Sequence, residues 1–270
     1  MKRLIGFVLS TFVMGFLVTT IAAQSWGLVE MNRTIEQTNF SVNAGCSGTL
    51  ISVKDRYILT ANHCVAAQYE LIDRETIADD GVVKTEKVRR LRDGTVTQLS
   101  FQGAESISSV VYKVRLIAVD RNRDLALMQI MGAIPNIQAA QLACTDPMRG
   151  EKVYIVGNPM GTLYSSVVDG IVSSTQRSYD SIGFPRDGAD SDKQALLQLS
   201  GGIIGGNSGG AAYNVRGEII GVPVLGNRVN EVIGFAVPLS VVKDFLKDNK
   251  IDESLYVCRH PDGDAVGAKE

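Results

Sequence analysis

Three short segments of this sequence hold residue types that can do chemistry together. The first, Leu59-Thr60-Ala61-Asn62-His63-Cys64-Val65, sets a histidine directly before a cysteine. An imidazole serves a nucleophile as a base only when its ring is held within hydrogen-bond reach. A lone histidine is more often a satisfied core or surface residue. Here, though, the chain has only two, and His260 lies in a polar tail. The second segment, Arg123-Asp124-Leu125-Ala126-Leu127, opens an apolar run on an aspartate. That places a carboxylate at a strand end, where it can face a cleft and accept from an imidazole N–H. Alone it reads as a turn residue; Asp120 competes with it, but the apolar run starts directly after Asp124. The third segment, Gly201 to Gly210, contains six glycines in ten residues around Ser208. Such a backbone adopts conformations closed to other residues or is closely approached. Successive N–H groups there can converge on a developing oxyanion. A phosphate cradle is the rival reading, but no Gly-Lys-Ser/Thr step follows to meet the phosphates.

The four cysteines bear on how His63 is held. An even number in an exported chain suggests two disulfides, although four cysteines allow three connectivities. Cys46 and Cys64 flank a short segment ending on His63, and a bridge between them would steady that ring. Cys144 and Cys258 would then pair. A zinc site from Cys46, His63 and Cys64 is the alternative; adjacent His and Cys seldom ligate one ion, and no CxxC pair exists.

The elements that must position these residues are short and β-rich. In the first half, Ser47–Val53, Tyr57–Thr60, Val110–Val119 and Leu125–Met131 read as strands. In the second half the same style recurs in Lys152–Val156, Ser165–Val172, Ala195–Leu199, Ala211–Asn214, Glu218–Val224 and Val232–Val237. Gly132 to Gly150, with Pro135 and Pro147, looks like a linker. One helix is expected near the end, capped by Ser240, with Val241, Val242, Phe245 and Leu246 on one face before Asn249. Many strands, a central linker and one late helix predict an all-β chain of two β-barrels. The segment from Gln24 to Gly45 reads as polar, irregular surface chain. The resulting division is a leader (1–23), an N-terminal extension (24–42), a first barrel (43–135), a linker (136–150), a second barrel with its helix (151–250) and a tail (251–270).

Composition sets the remaining bounds. The 270 residues are 45% hydrophobic and 21% charged, the profile of a folded globular protein. A formal net charge of -2 is too close to neutral to argue for a partner. The basic run from Lys84 to Arg92 follows Asp73, Glu75, Asp79 and Asp80, so it reads as a solvated loop or hairpin, not a nucleic-acid surface. Lys2 and Arg3 precede an uncharged apolar stretch from Leu4 to Ala23 that ends on small residues. This reads as a secretory signal peptide, hence export to a periplasm or the extracellular space. An uncleaved anchor is the alternative, and only then would a membrane be a partner. Asn32-Arg33-Thr34 and Asn39-Phe40-Ser41 fit the glycosylation pattern.

Taken together, the three segments resemble the trypsin-like (chymotrypsin-fold) serine peptidases, and within them the HtrA or Deg type. The match runs from about Asn43 to Lys247. It includes Ser47-Gly48-Thr49-Leu50-Ile51, Thr60 to Cys64, Asp124-Leu125-Ala126-Leu127 and Gly206-Asn207-Ser208-Gly209-Gly210, in the order His, Asp, Ser. Val156-Gly157-Asn158-Pro159-Met160-Gly161, Asp169-Gly170-Ile171-Val172-Ser173 and Gly234-Phe235-Ala236-Val237-Pro238 look more like HtrA-type proteins than digestive proteases. The resemblance implies two six-stranded antiparallel barrels and a serine endopeptidase acting on proteins or peptides without a cofactor. Ser208 would be the nucleophile, His63 the base and Asp124 the group that holds the imidazole tautomer. The N–H groups of Gly206 and Ser208 would form the oxyanion hole. Gly202, six residues before Ser208, stands where a pocket-floor aspartate sits in proteases that prefer Lys or Arg; with Gly226 and Gly234 as walls, an uncharged aliphatic P1 residue is expected.

The departures from the family pattern are informative. Digestive proteases bury an aspartate just before the serine, which pairs with a new N-terminus; here that position is Asn207, and no Arg/Lys-Ile-Val-Gly-Gly activation site is present. Asn62 stands where many relatives have alanine. Only residues 250–270 follow the helix, so the PDZ domain usual in HtrA proteins is not expected. HtrA-type proteins are often trimers; no assembly signal is visible, and a homo-oligomer stays open. Two other function classes remain. One is a catalytically idle protease-fold binding protein or chaperone. The other is an acyl hydrolase, since Gly206-Asn207-Ser208-Gly209-Gly210 superficially matches a nucleophile elbow, but that fold needs the order Ser, Asp, His.

Overall fold

The computed structural model describes residues 32–43, 45–66, 69–77, 83–91, 94–102, 106–134, 137–184, 193–226 and 232–257. The expected leader, Cys258, His260 and the tail from Arg259 lie outside the described residues.

Six strands close the first barrel. They are β1 (Asn39–Val42), β2 (Cys46–Ser52), β3 (Tyr57–Thr60), β6 (Gly94–Gln102), β7 (Ser106–Asp120) and β8 (Leu125–Ile130), hydrogen-bonded in the order β1-β2-β3-β8-β7-β6. Between β3 and β6, β4 (Tyr69–Ile77) and β5 (Val83–Leu91) form a separate two-stranded hairpin. β8 carries Leu125, Ala126, Leu127 and Met128 in unbroken succession, all fully buried. A continuous apolar run of this kind marks a strand covered on both faces. Phe40, Leu50, Ile58 and Leu59 complete the core around it.

The second sheet comprises β9 (Gln141–Leu142), β10 (Lys152–Gly157), β11 (Ser166–Ser178), β12 (Ala195–Leu199), β13 (Ala211–Tyr213), β14 (Glu218–Gly226) and β15 (Gly234–Pro238). Its order is β13-β10-β11-β12-β15-β14-β9, and a further β13–β14 pairing joins six of these strands in an antiparallel ring. β9 is added to β14 in parallel. Leu196, Leu199, Ile155, Ile219 and Tyr213 are fully buried in this sheet. The helix Leu239–Asp248 packs on β14 and β15 through Leu239, Val242, Phe245 and Leu246.

Several expectations are corrected here. Within the stretch read as irregular surface chain, residues 32–38 are helical, and Asn39–Val42 is a fully buried barrel strand. Its polar residues disguised it, because Asn39 and Ser41 are buried with Phe40 and Val42. Asn39 is only 4% exposed and is hydrogen-bonded through its amide, so it is not an accessible glycosylation acceptor. The helix is preceded by Pro238, with no side-chain cap, and Ser240 lies inside it. The expected linker contains the short strand β9, while the basic run, read as a loop or hairpin, lies largely in the hairpin strand β5.

Candidate active site

Asp124 owes its position to the tight turn between β7 and β8. Its φ of 55° lies in the left-handed region, which aspartate tolerates better than most residues. The neighbouring Asp120 is occupied with the same turn, since it accepts the Arg123 N–H at 2.9 Å and pairs with the Arg123 guanidinium at 3.5 Å. Arg123 in turn reaches Asp248 of the C-terminal helix at 2.6 Å. Asp120 is thus turned to Arg123, within its own turn.

The Asp124 carboxylate is buried and fully directed at His63. Its Oδ1 accepts the His63 backbone N–H at 2.9 Å, and its Oδ2 lies 2.8 Å from His63 Nδ1. A backbone N–H can only donate, so the carboxylate orientation is fixed. Facing an acceptor, Nδ1 bears the ring proton in the neutral imidazole, an assignment made from its partner. The lone pair is then on Nε2, in a side chain that is 44% accessible.

His63 stands on a single helical turn, Asn62–Val65, directly after β3. The Asn62 N–H donates to the Asp124 carbonyl at 3.1 Å, a second tie between the two segments. The disulfide joins Cys46 to Cys64, with Cα atoms 5.8 Å apart, so the turn is stapled to the start of β2. Cys64 Sγ sits 3.5 Å from the Ser208 carbonyl oxygen, a packing contact since the bonded sulfur has no hydrogen. That contact brings the Ser208 loop alongside the histidine turn. Cys46, His63 and Cys64 cluster closely enough to hold an ion, but the bonded sulfurs offer no thiolates. Cys144 is also disulfide-bonded; Cys258, its expected partner, lies outside the described residues.

The loop around Ser208 takes its shape from close backbone approach. Gly206 has φ 106°, and a Cβ there would fall 2.1 Å from the Asn158 carbonyl oxygen. Gly209 has φ 81°, and its Cβ would fall 2.2 Å from Thr60 Oγ1. The Gly205 carbonyl accepts the Met160 N–H at 2.6 Å. In a trans peptide, N–H and C=O point in opposite directions. The Gly206 N–H therefore points away from Met160, and neither it nor the Ser208 N–H has an acceptor among the described residues. The Ser208 side chain makes no hydrogen bond there either; nucleophile–base contacts often tighten only when substrate binds.

Two of the three glycines expected to line a pocket, Gly226 and Gly234, pack against a residue the sequence reading missed, Ile203. Gly226 and Gly234 are cross-strand partners. A Cβ on Gly234 would meet Ile203 Cγ1 at 2.5 Å, and one on Gly226 would meet the Ile203 carbonyl at 1.9 Å. Gly202, next in the chain, brings no side chain. Ile203, itself buried, thus occupies the space that side chains at Gly226 and Gly234 would fill. A separate groove of about 900 Å³, bordered by Lys54, Gln138, Glu218 and Tyr256, includes none of these residues.

Comparison with known proteins follows the same lines. The trypsin-like peptidase domain profile matches residues 46–222. The chain belongs to this family. Within the family its relatives are of the HtrA type. It is 29% identical over 223 residues to the serine endoprotease DegS of Haemophilus influenzae, covering 78% of this chain and 52% of that protein. It is 34% identical over 137 residues to a probable serine protease do-like of Buchnera aphidicola, covering 49% of this chain and 27% of that protein. The chain thus spans between a quarter and about half of the curated relatives it matches. Among solved structures, the HtrA-type protease AlgW with decapeptide aligns over 75% of this chain and 50% of its own, with TM-score 0.52 and 24% identity. A serine endoprotease from Yersinia pestis aligns over 81% and 66%, with TM-score 0.53 and 22% identity. These two likenesses show the family's fold. Among the described residues, no helix is long and apolar enough to cross a membrane.

Proposed function

We propose that this chain is a serine endopeptidase that hydrolyses peptide bonds of proteins or peptides through His63, Asp124 and Ser208. The observation that carries the reading is the His63 ring, bonded through Nδ1 to a buried carboxylate, in a side chain that is 44% accessible beside the Ser208 loop. Ser208 Oγ attacks the scissile carbonyl while His63 Nε2 takes its proton. The oxyanion accepts from the N–H groups of Gly206 and Ser208, where one donor is worth about 2.7–4 kcal/mol in related sites. Collapse of the tetrahedral adduct breaks the C–N bond, and His63 returns the proton to the leaving amine. Water then attacks the acyl-enzyme with His63 again as base, releasing the acid and restoring Ser208. Asp124 holds the Nδ1–H tautomer throughout.

Ile203 supports an uncharged aliphatic preference at P1, because a Lys or Arg side chain would meet no carboxylate at Gly202. Export is supported by a probable periplasmic DegP-like endoprotease among the relatives and by the disulfide at the site. The test is casein cleavage by the full chain beside Ser208→Ala under non-reducing conditions, with fluorophosphonate labelling of both. Loss of cleavage and labelling on the order of a million-fold in Ser208→Ala is expected. A folded wild type that neither cleaves nor labels would refute the reading in favour of an idle, binding role.

A further inference from the structure

Asn207 stands where digestive members of the family bury an ion-paired aspartate. It is fully buried here, yet its Oδ1 has no partner among the described residues. Something else must hold the backbone from Gly205 to Ser208 in its catalytic shape. We propose that Ser47 and Asn158 are positioning residues that set the oxyanion loop through a neutral hydrogen-bond relay. The proposal rests on the serine-endopeptidase reading above and adds residues that touch no substrate.

Donor and acceptor accounting gives the relay a single direction. Ser47 Oγ is completely buried and receives two hydrogen bonds from Asn158, one from its N–H at 2.8 Å and one from Nδ2 at 2.9 Å. A hydroxyl has two lone pairs and one hydrogen. With both lone pairs filled, the hydrogen goes to the Gly206 carbonyl at 2.7 Å. The Asn158 amide is equally determined. Its Nδ2 also donates to the Phe40 carbonyl at 3.0 Å, which can only accept. Its Oδ1 receives the Ser165 N–H at 3.0 Å, which can only donate, and the Asn39 Nδ2 at 2.8 Å. Neither group can flip without breaking a buried bond.

The consequence falls on the peptides that flank Ser208. Ser47 holds the Gly206 carbonyl with its hydroxyl and the Ser208 carbonyl with its own N–H at 2.8 Å. The turn that begins at Asn158 holds the preceding peptide, because the Met160 N–H takes the Gly205 carbonyl. The anchors on the carbonyls of residues 205, 206 and 208 fix the Gly206 N–H plane and the two planes either side of the one that carries the Ser208 N–H, which is itself closed by the Gly210 N–H on the Asn207 carbonyl at 3.1 Å. Asn39, Phe40 and Ser47 belong to the first barrel, whereas Asn158 and Ser165 belong to the second-barrel half. The relay couples the seam between the barrels to the oxyanion donors.

The experiment uses the full chain with Ser47→Ala, and Asn39→Ala as a milder variant at the far end of the relay. For each, kcat and KM are measured on a peptide substrate, and affinity is measured for a peptidyl boronate, which forms a tetrahedral adduct. Substrate Kd is measured in the Ser208→Ala background, and melting confirms the fold. Ser47→Ala is expected to lower kcat and boronate affinity by about 10- to 100-fold, a fraction of the loss of a whole donor, with substrate Kd unchanged. Asn39→Ala should give a smaller loss of the same kind. A folded Ser47→Ala with kcat and boronate affinity within about twofold of wild type overturns the proposal, as does an equal loss in substrate Kd. Should Ser47→Ala not fold, unchanged kcat in Asn39→Ala overturns it instead. A wild type that does not label with fluorophosphonate overturns the parent reading and this one with it.

Discussion

Replacing Asp124 by Asn tests the catalytic geometry most directly, since volume is conserved and only one hydrogen-bond polarity changes. The native carboxylate accepts twice from His63, at the backbone N–H and at Nδ1. An amide has one acceptor oxygen, and the backbone N–H, which cannot change its role, will claim it. The NH2 group then faces Nδ1 and forces it to accept. The ring proton moves to Nε2, and the lone pair that should take the Ser208 proton disappears. For a triad of this kind the wrong tautomer costs about four orders of magnitude in kcat, or about 5 kcal/mol of barrier. The assay is the initial rate on a peptide substrate near pH 7, with melting to confirm folding and imidazole nitrogen NMR to report the tautomer. A folded Asp124→Asn that keeps kcat within about tenfold of wild type would refute the assignment of Asp124.

Other expectations follow from single contacts. Ile203→Ala should deepen the pocket, so kcat/KM for a P1 Phe over a P1 Val should rise at least about tenfold in a matched substrate pair. The Cys46→Ala/Cys64→Ala pair opens a loop with a sequence separation of 18 and should lose about 3 kcal/mol in urea unfolding, with lower kcat from a less constrained His63. Burial pushes the Tyr213 phenol up to about 12, although its bonds to Thr38 and Thr49 pull the other way. The unfolded phenol ionises near pH 10, so the native state binds more protons above that pH and stability falls between about pH 10 and 12, by about 3 kcal/mol. Urea midpoints measured across that range should fall less in Tyr213→Phe than in wild type.

What the sequence made legible was the part whose chemistry leaves few choices. His63 and Asp124 each border an apolar run, Ser208 stands in a conspicuous glycine-rich segment, and Leu125 to Met128 are buried too continuously to be missed. Residues 69–102 were harder, because their strands form partly as a hairpin apart from either barrel, and their charges left loop and hairpin undecided. Ile203 was hidden for another reason. Its role arises from Gly226 and Gly234, which lie across a β-hairpin and cannot be associated with it by spacing alone. Ser240 misled because a serine before an apolar face is a good cap, yet Pro238 already supplies the extended residue before the first turn.

The least legible element, β1, shows why the seam resists pattern reading. Its strand looks polar because Asn39 sends its amide to Asn158 and Ser165, and Phe40 lends its carbonyl to the same asparagine. Apolar packing between barrels would fix their separation but would leave rotation and register soft, since dispersion contacts have little direction. Hydrogen bonds do have direction, and a buried network of this kind, in which only Asn39 Oδ1 has no partner among the described residues, holds one arrangement against alternatives. The proposed site, which takes His63 and Asp124 from one barrel and Ser208 from the other half, needs that constraint. Buried asparagine and serine at the seam are thus the cost of aligning groups across two sheets, and binary patterning discards them as surface.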